Sequence, residues 1–289
     1  MTQNSQSFQE THFHANGLKL AAKVWHPNAP HKVIAIHGWL DNANSFDTLA
    51  PLLGDFNIVA LDSAGHGKSD FRSEDAAYLI WSEVAEIIQI ADQMGWDNFI
   101  LLGHSRGAGI ASIVAGTYPD RVSQLVLLEG GIPLPMTAQD APENLAKSIV
   151  LNRQLYGTKG TLFKTRPAAI AARADGFTKV YPETAEILAD RSLVQESQGF
   201  RWHADARLKA PSGFKLTNNQ IDAFLGKISA PSLLVLGHEG IAAMMEFTQT
   251  HFQNIANLKK LELPGGHHLH MEGAEEPIAN AIKELMLPN

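Results

Sequence analysis

The chain of 289 residues has no cysteine. Disulfides, thiolate nucleophiles and cysteine zinc sites are excluded with it. Charge is sparse as well: 18% of residues are charged, 23 Lys or Arg stand against 30 Asp or Glu, and the formal net charge is −7. No Lys/Arg cluster breaks that balance. The basic footprint that nucleic acid requires is missing, so no nucleic-acid partner is expected. Long apolar runs are lacking too. No uncharged stretch approaches bilayer-spanning length, so no membrane span is expected. The opening MTQNSQSFQETHFHANG has none of the apolar run of a secretory signal. These absences leave a cytoplasmic globular protein as the expectation. Nothing in the sequence speaks to its oligomeric state. What is abundant is aliphatic: a 45% hydrophobic composition can bury a sizeable core, in one large domain or a domain with an insertion.

Two extended stretches, FQETHFHA and LKLAAKVWH, flank Asn16-Gly17, a strong hairpin signal. Short apolar runs of the buried-strand kind follow: KVIAIHG, NIVALDS, NFILLGHS and QLVLLEGG. Helical patterns separate them. Residues 76–95 put Leu79, Ile80, Val84, Ile87, Ile88 and Ala91 on one face, and residues 106–117 form a helix of small residues. Such alternation predicts a mostly parallel, doubly wound α/β sheet covered on both faces. It stops after Gly131. Residues from about 133 to 217 read as helical with no clear strand, too long for an ordinary loop. It then resumes with NNQIDAFLGKI, the strand SLLVLG, a helix near 241–252, the strand LKKLELPG and a last helix, EEPIANAIKELM.

The strand NFILLG runs straight into His104-Ser105-Arg106-Gly107, where a helix begins. Gly103 and Gly107 flank Ser105 at G-x-S-x-G spacing. A nucleophilic serine needs that arrangement, because a sharp strand-to-helix turn lifts Oγ above the sheet edge and brings neighbouring backbone very close. The Arg106 N–H then points where an oxyanion would form. A serine also needs a base. After the last strand come Pro264-Gly265-Gly266-His267-His268-Leu269-His270. His267 is the candidate base, with His268 and His270 as near competitors. No H-E-x-x-H spacing accompanies these histidines, so no metal is expected. Upstream, KVIAI ends in His37-Gly38-Trp39, and the Trp39 N–H is the candidate second oxyanion donor.

These segments together resemble the α/β-hydrolase superfamily. HGW at 37, LDSAGHGKSD at 61–70, GHSRG at 103–107 and GGHHLHMEGAEEP at 265–277 stand in that family's order. HGWLDNANSFDTLAPLL and GFRWHADARLKAPSGFKLT look in particular like its serine hydrolase-like (kraken-type) branch. The resemblance implies an α/β-hydrolase core over residues 1–132 and 218–289, with a helical cap over 133–217. It also implies an acid for the base. The family's usual Asp falls at Gly240, so two glutamates compete: Glu129, at the end of QLVLLE, and Glu239. Some relatives take their acid from the earlier strand. Glu129 is favoured because a carboxylate at a strand end can face the imidazole without rebuilding a loop.

Two other patterns lead elsewhere. Gly67-Lys68-Ser69 looks like the tail of a phosphate-binding loop, but position 62 is Asp where that motif needs glycine. Phe200, Trp202 and Phe214 could line an acyl pocket or simply pack cap on core. The expected chemistry is acyl transfer from a small-molecule ester to water, with Ser105, His267 and Glu129 as the triad and no cofactor. Thioester hydrolysis, C–C bond hydrolysis or perhydrolysis on the same triad is the enzymatic alternative. A non-catalytic ligand-binding relative is the other.

Overall fold

The computed structural model describes residues 8–241 and 250–286. Strands β1 (Phe8–Ala15) and β2 (Leu18–Trp25) form the expected hairpin. Asn16 and Gly17 both take positive φ, 49° and 76°, which the tight two-residue turn requires. Next come β3 (His31–Ile36), β4 (Phe56–Leu61), α1 (Ile80–Gln93), β5 (Phe99–His104), α2 (Arg106–Thr117) and β6 (Val122–Leu128). After a long excursion follow α6 (Asn218–Leu225), β9 (Ser232–Gly237), β10 (Leu258–Leu263) and α7 (Glu275–Leu285). The sheet order is β1-β2-β4-β3-β5-β6-β9-β10. The pairs β1–β2 and β2–β4 are antiparallel, and every later pair is parallel.

Strict alternation along the strands builds two cores. In β3, Ile34 and Ile36 face one layer with α1, α2 and α6. Val33 and Ala35 face the other, where Ile278 and Ile282 of α7 and the 3-10 turn at Ala43–Phe46 close over them. Both faces are covered, so β4 and β5 are buried along their whole length. Full burial of one Ile or Leu contributes about 1.5–3 kcal/mol, which makes these central strands the rigid part of the molecule.

The parallel strands set the site. Loops leaving β3, β5, β6, β9 and β10 all emerge at one sheet edge. His37 to Trp39, Ser105, Glu129, Gly240 and His267 each lie just past one of those strand ends. Residues distant in sequence are thereby brought together where open α/β sheets hold ligands.

Between β6 and α6 the chain forms α3 (Ala141–Leu155), α4 (Arg166–Ala174), α5 (Pro182–Ser192) and a hairpin of β7 (Leu193–Glu196) with β8 (Gly199–Trp202). The hairpin corrects the expectation of a strandless segment. Its strands are four residues long and none of their residues is buried, too short for a period-two pattern to register. Helix α1 starts at Ile80 rather than near 76: Leu79 before it is extended, and the Tyr78 hydroxyl donates to Asp205 of the inserted segment at 2.7 Å. The helix expected near 241–252 falls mainly outside the described residues. No helix among the described residues is long and apolar enough to cross a membrane.

Buried ion pairs dock the inserted segment on the core. Arg191 Nε lies 2.8 Å from Asp62 Oδ2, and both side chains are almost fully buried. Asp62 also accepts from the Ala43 and Lys68 backbone N–H groups at 2.8 and 2.7 Å. The Gly67-Lys68-Ser69 turn is thus wrapped round a core carboxylate, with Ser69 Oγ donating to Asp62 O at 2.6 Å. A phosphate cradle would instead present its backbone N–H groups to solvent.

Candidate active site

Ser105 follows β5 directly and opens α2 with φ 52° and ψ −116°. A non-glycine residue rarely holds such backbone angles, and the surroundings enforce them. The Ser105 N–H donates to Leu128 O at 2.8 Å, and Ser105 O accepts from Ala108 and Gly109. A side chain at Gly107 would run into the carbonyl of Ile36, and one at Gly130 would meet Ser105's own backbone. The turn therefore needs small residues on every side.

His267 Nε2 lies 2.9 Å from Ser105 Oγ. Its Nδ1 lies 3.2 Å from Glu129 Oε2. With Nδ1–H donating to the carboxylate, Nε2 is bare and accepts the serine hydroxyl. Glu129 is buried, holds φ 49°, and accepts from the Gly237 N–H at 2.6 Å through Oε1. Glu239, the other candidate, is exposed. Only its backbone is engaged, at Gly265 O, and no hydrogen bond or ion pair holds its carboxylate among the described residues. The structure therefore joins Ser105, His267 and Glu129 in one hydrogen-bonded chain and leaves Glu239 outside it.

The turn after β3 is held by His37. Its Nδ1 lies 2.7 Å from Gly38 O, and its Nε2 accepts the Ser63 N–H at 3.1 Å. Burial pushes this imidazole below its ordinary range, so it remains neutral and keeps that tautomer. Trp39 anchors outward, donating Nε1–H to Leu208 O of the inserted segment at 2.9 Å. Arg106 is the first residue of α2, so its N–H has no intrahelical acceptor. Its guanidinium is committed to buried Glu83, which also accepts from Ser63 Oγ at 2.8 Å. Burial acts to raise the Glu83 carboxyl, and Arg106 overcomes it and holds the group below its usual value.

Behind this row lies a layer that the motifs did not reveal. His104 Nε2 lies 2.8 Å from His267 O and ties down the backbone of that residue. Asp41 Oδ2 lies 3.0 Å from His268 Nε2, and Ser45 Oγ lies 2.9 Å from His270 Nε2. His268 and His270 are thus held away from the serine by their own partners. His104 sits inside G-x-S-x-G and Asp41 two residues past Trp39, so proximity to motifs was the one available signal. Asp41, His104 and His268 bring ligand-type atoms within 4.8 Å of one another. The cation in place there is the Arg173 guanidinium, 2.8 Å from Asp41 Oδ1 and 3.3 Å from His268 Nε2. A metal ion would have to share that corner with a fixed positive charge, so this set does not fit a metal centre.

A cavity of 390 Å³ opens on Ser105 and includes Trp39 and Arg106 in its wall. Trp81, Ile132, Leu208, Phe214, Leu216 and Phe252 make most of the rest apolar. Phe214 is in place to line it, whereas Trp202 packs against the small core of the inserted segment and Phe200 pairs with Phe163. A second cavity of 1110 Å³ reaches His267 from the other side, past Arg166, Lys179, Glu186, Glu239 and Glu272, without touching Ser105. Phe177, Thr178 and Ile241 are shared between the two.

A strand–serine–helix turn on a mostly parallel sheet, facing a histidine from the last strand's loop, defines an α/β-hydrolase. The chain belongs to that family: the alpha/beta hydrolase fold family matches residues 32–274. Within it the chain falls in the serine hydrolase-like branch. A serine hydrolase-like protein of Dictyostelium discoideum is 31% identical over 93% of this chain and 79% of its own length. A hypothetical protein of Pseudomonas aeruginosa PAO1 has a solved structure that is 37% identical, with a TM-score of 0.89 over 96% of this chain and 97% of that one. The thioesterase domain from a curacin biosynthetic pathway is 25% identical, with a TM-score of 0.85 over 96% of this chain and 99% of that one.

Proposed function

We propose that the protein hydrolyses carboxylic esters of small to medium acyl chains through an acyl-enzyme on Ser105. The observation that carries this reading is the 2.9 Å contact between Ser105 Oγ and His267 Nε2, backed by Glu129 at 3.2 Å from Nδ1. His267 takes the hydroxyl proton as Oγ attacks the carbonyl carbon. The Trp39 and Arg106 N–H groups receive the oxyanion. Collapse of the tetrahedral intermediate breaks the bond to the alcohol, which leaves with the proton held by His267. Water then attacks the acyl-enzyme, with His267 again taking and returning a proton. Glu129 holds the imidazole in its working tautomer and stabilises it when charged. The apolar cavity beside Ser105 suits the acyl group. The second cavity, which reaches His267 past several charged side chains, suits the leaving group, because that group must accept its proton from His267. In this reading residues 133–217 are a cap over the site, and the enzyme works in the cytoplasm.

Thioester hydrolysis is the second reading, supported by the likeness to the curacin thioesterase domain. It uses the same residues and differs only in the leaving atom. The deciding experiment compares matched ester and thioester panels across acyl lengths, with a fluorophosphonate to label the nucleophile. Labelling lost in Ser105→Ala, together with turnover of short-chain esters, supports the proposal. Thioester turnover far above ester turnover moves the assignment to the second reading. Labelling that persists in Ser105→Ala overturns both.

A further inference from the structure

Asp41 is a buried carboxylate placed directly behind the base. Its Oδ2 faces His268 Nε2 at 3.0 Å and His104 Nδ1 at 3.7 Å. His270 and His267 stand next in the same cluster, with the His104 ring 4.2 Å from that of His270 and 4.9 Å from that of His267. On the side of β3 and β4, His37 and His66 also feel the Asp41 charge. All of these imidazoles are buried. Among the described residues, the one permanent cation against Asp41 comes from the inserted segment. Arg173, in the last turn of α4, reaches 132 residues back in sequence to place Nη2 2.8 Å from Asp41 Oδ1. The same nitrogen lies 3.3 Å from His268 Nε2, while Nη1 donates to Thr178 O at 2.9 Å. Thr178 belongs to the wall that separates the two cavities.

We propose that Arg173 is a positioning residue for His267: as the counter-charge that fixes Asp41, the partner of His268, it makes docking of the inserted segment a condition for assembly of the base loop. The role rests on the reading of His267 as base. The physical ground is the cost of an uncompensated buried charge. With Arg173 in place, the Asp41 carboxylate has a permanent counter-charge beside its contact with His268. Burial and the neighbouring histidines hold His104 well below its ordinary range, and Asp41 stays ionised because His268 and Arg173 outweigh its desolvation. Without Arg173, Asp41 must draw a proton onto an adjacent histidine or draw in water, and either disturbs residues 265–270. Removing Asp41's charge at the same time lifts the demand. An asparagine there can still accept a hydrogen bond from His268.

The test uses the full chain with Arg173→Met, Arg173→Lys and the double variant Arg173→Met with Asp41→Asn. Two readouts are taken: kcat and KM on a short ester, and amide hydrogen exchange over residues 265–272. Arg173→Met is expected to lower kcat roughly 10²-fold with KM little changed, since a misplaced base costs rate more than binding. Exchange in the loop should rise about tenfold as it opens locally. Arg173→Lys keeps the charge and should lie between Arg173→Met and the unaltered chain. The double variant should recover most of both losses, and recovery of folding counts equally if Arg173→Met alone is unstable. Wild-type kcat and exchange in Arg173→Met overturn the proposal, with the base assignment untouched. Failure of the double variant to recover either readout also overturns it, because the loss is then not electrostatic. Full activity in His267→Ala overturns the base reading, and the positioning role falls with it.

Discussion

Gly240 leaves the space that the Glu129 carboxylate fills. A β-carbon at residue 240 would fall on Cδ, Oε1 and Oε2 of Glu129 together. The two positions lie past neighbouring strands, β6 and β9, which pair in parallel up to Leu128 and Val235. A side chain at 240 therefore requires the Glu129 carboxylate to move from its present place. The missing side chain at 240 and the carboxylate at 129 are one arrangement read from two ends.

Gly240→Ala is accordingly expected to push Glu129 off His267. A displacement of that size should lower kcat roughly 10²-fold with KM nearly unchanged. Glu129→Gln should be more severe, up to about 10⁴-fold, because the imidazolium loses its counter-charge and the tautomer is no longer held. Glu239→Gln should change little. The double variant Glu129→Gly with Gly240→Asp should recover part of the loss by returning a carboxylate to the later strand. Steady-state kinetics on one ester across the set decides it, and a harmless Gly240→Ala contradicts the steric argument.

Ser105→Ala should abolish ester turnover, with a loss on the order of 10⁶ in kcat, and His267→Ala should cost nearly as much because the two act as a unit. His268→Ala and His270→Ala should cost far less, since the partners of those rings are Asp41 and Ser45. A small effect in His267→Ala with a large one in His270→Ala would move the base three residues along the loop.

The legible parts of this molecule were those in which one residue type is forced by local geometry. Ser105 between Gly103 and Gly107, with a strand before and a helix after, is such a case. So are the alternating Val33, Ile34, Ala35 and Ile36 of β3, whose two faces meet two cores. The choice between Glu129 and Glu239 was harder. Both follow apolar strands, and only three-dimensional space distinguishes them: one is buried against Gly237 and Gly240, the other exposed. Arg173's part in the contact with Asp41 and His268 had no sequence signal, because an arginine near the end of a short alanine-rich helix looks like any solvated charge. The β7–β8 hairpin was hidden by its length and its partly exposed faces.

The docking of the inserted segment gives a prediction about stability. Asp62 is fully buried and holds Arg191 together with the backbone at Ala43 and Lys68. Among the described residues, Asp62→Ala leaves Arg191 with Glu10 as its one ion-pair partner, and Glu10 lies partly in solvent. Breaking one side of a buried pair destabilises by about 3–5 kcal/mol. Urea denaturation should show the loss as a lower midpoint with little change in slope. An Asp62→Ala midpoint close to that of the unaltered chain would mean that Arg191 finds another partner.

The buried histidines predict how stability depends on pH. Burial pushes His270 from its ordinary 6.5 down to about 3, lowers His104 and His66 well below that ordinary value, and lowers His37. The sign follows from proton counts. Below pH 6.5 these groups take up protons in the unfolded chain while the folded chain holds them neutral. The unfolded state therefore binds more protons, and stability falls as pH drops. For His270 the loss begins near 6.5 and continues to about 3. Each such histidine contributes a slope approaching about 1.4 kcal/mol per pH unit within its own window. The depressed carboxylates Asp41, Glu83 and Glu10 act in the same direction but only nearer and below their own ordinary values of 3.8 and 4.5. The fall between pH 6.5 and 5 thus belongs mainly to the histidines. Urea titrations at pH 7, 6 and 5 should show it, and His270→Gln, which cannot take up a proton, should remove about one histidine's share of the slope. A slope unchanged by His270→Gln would mean that this ring accepts its proton in the folded chain.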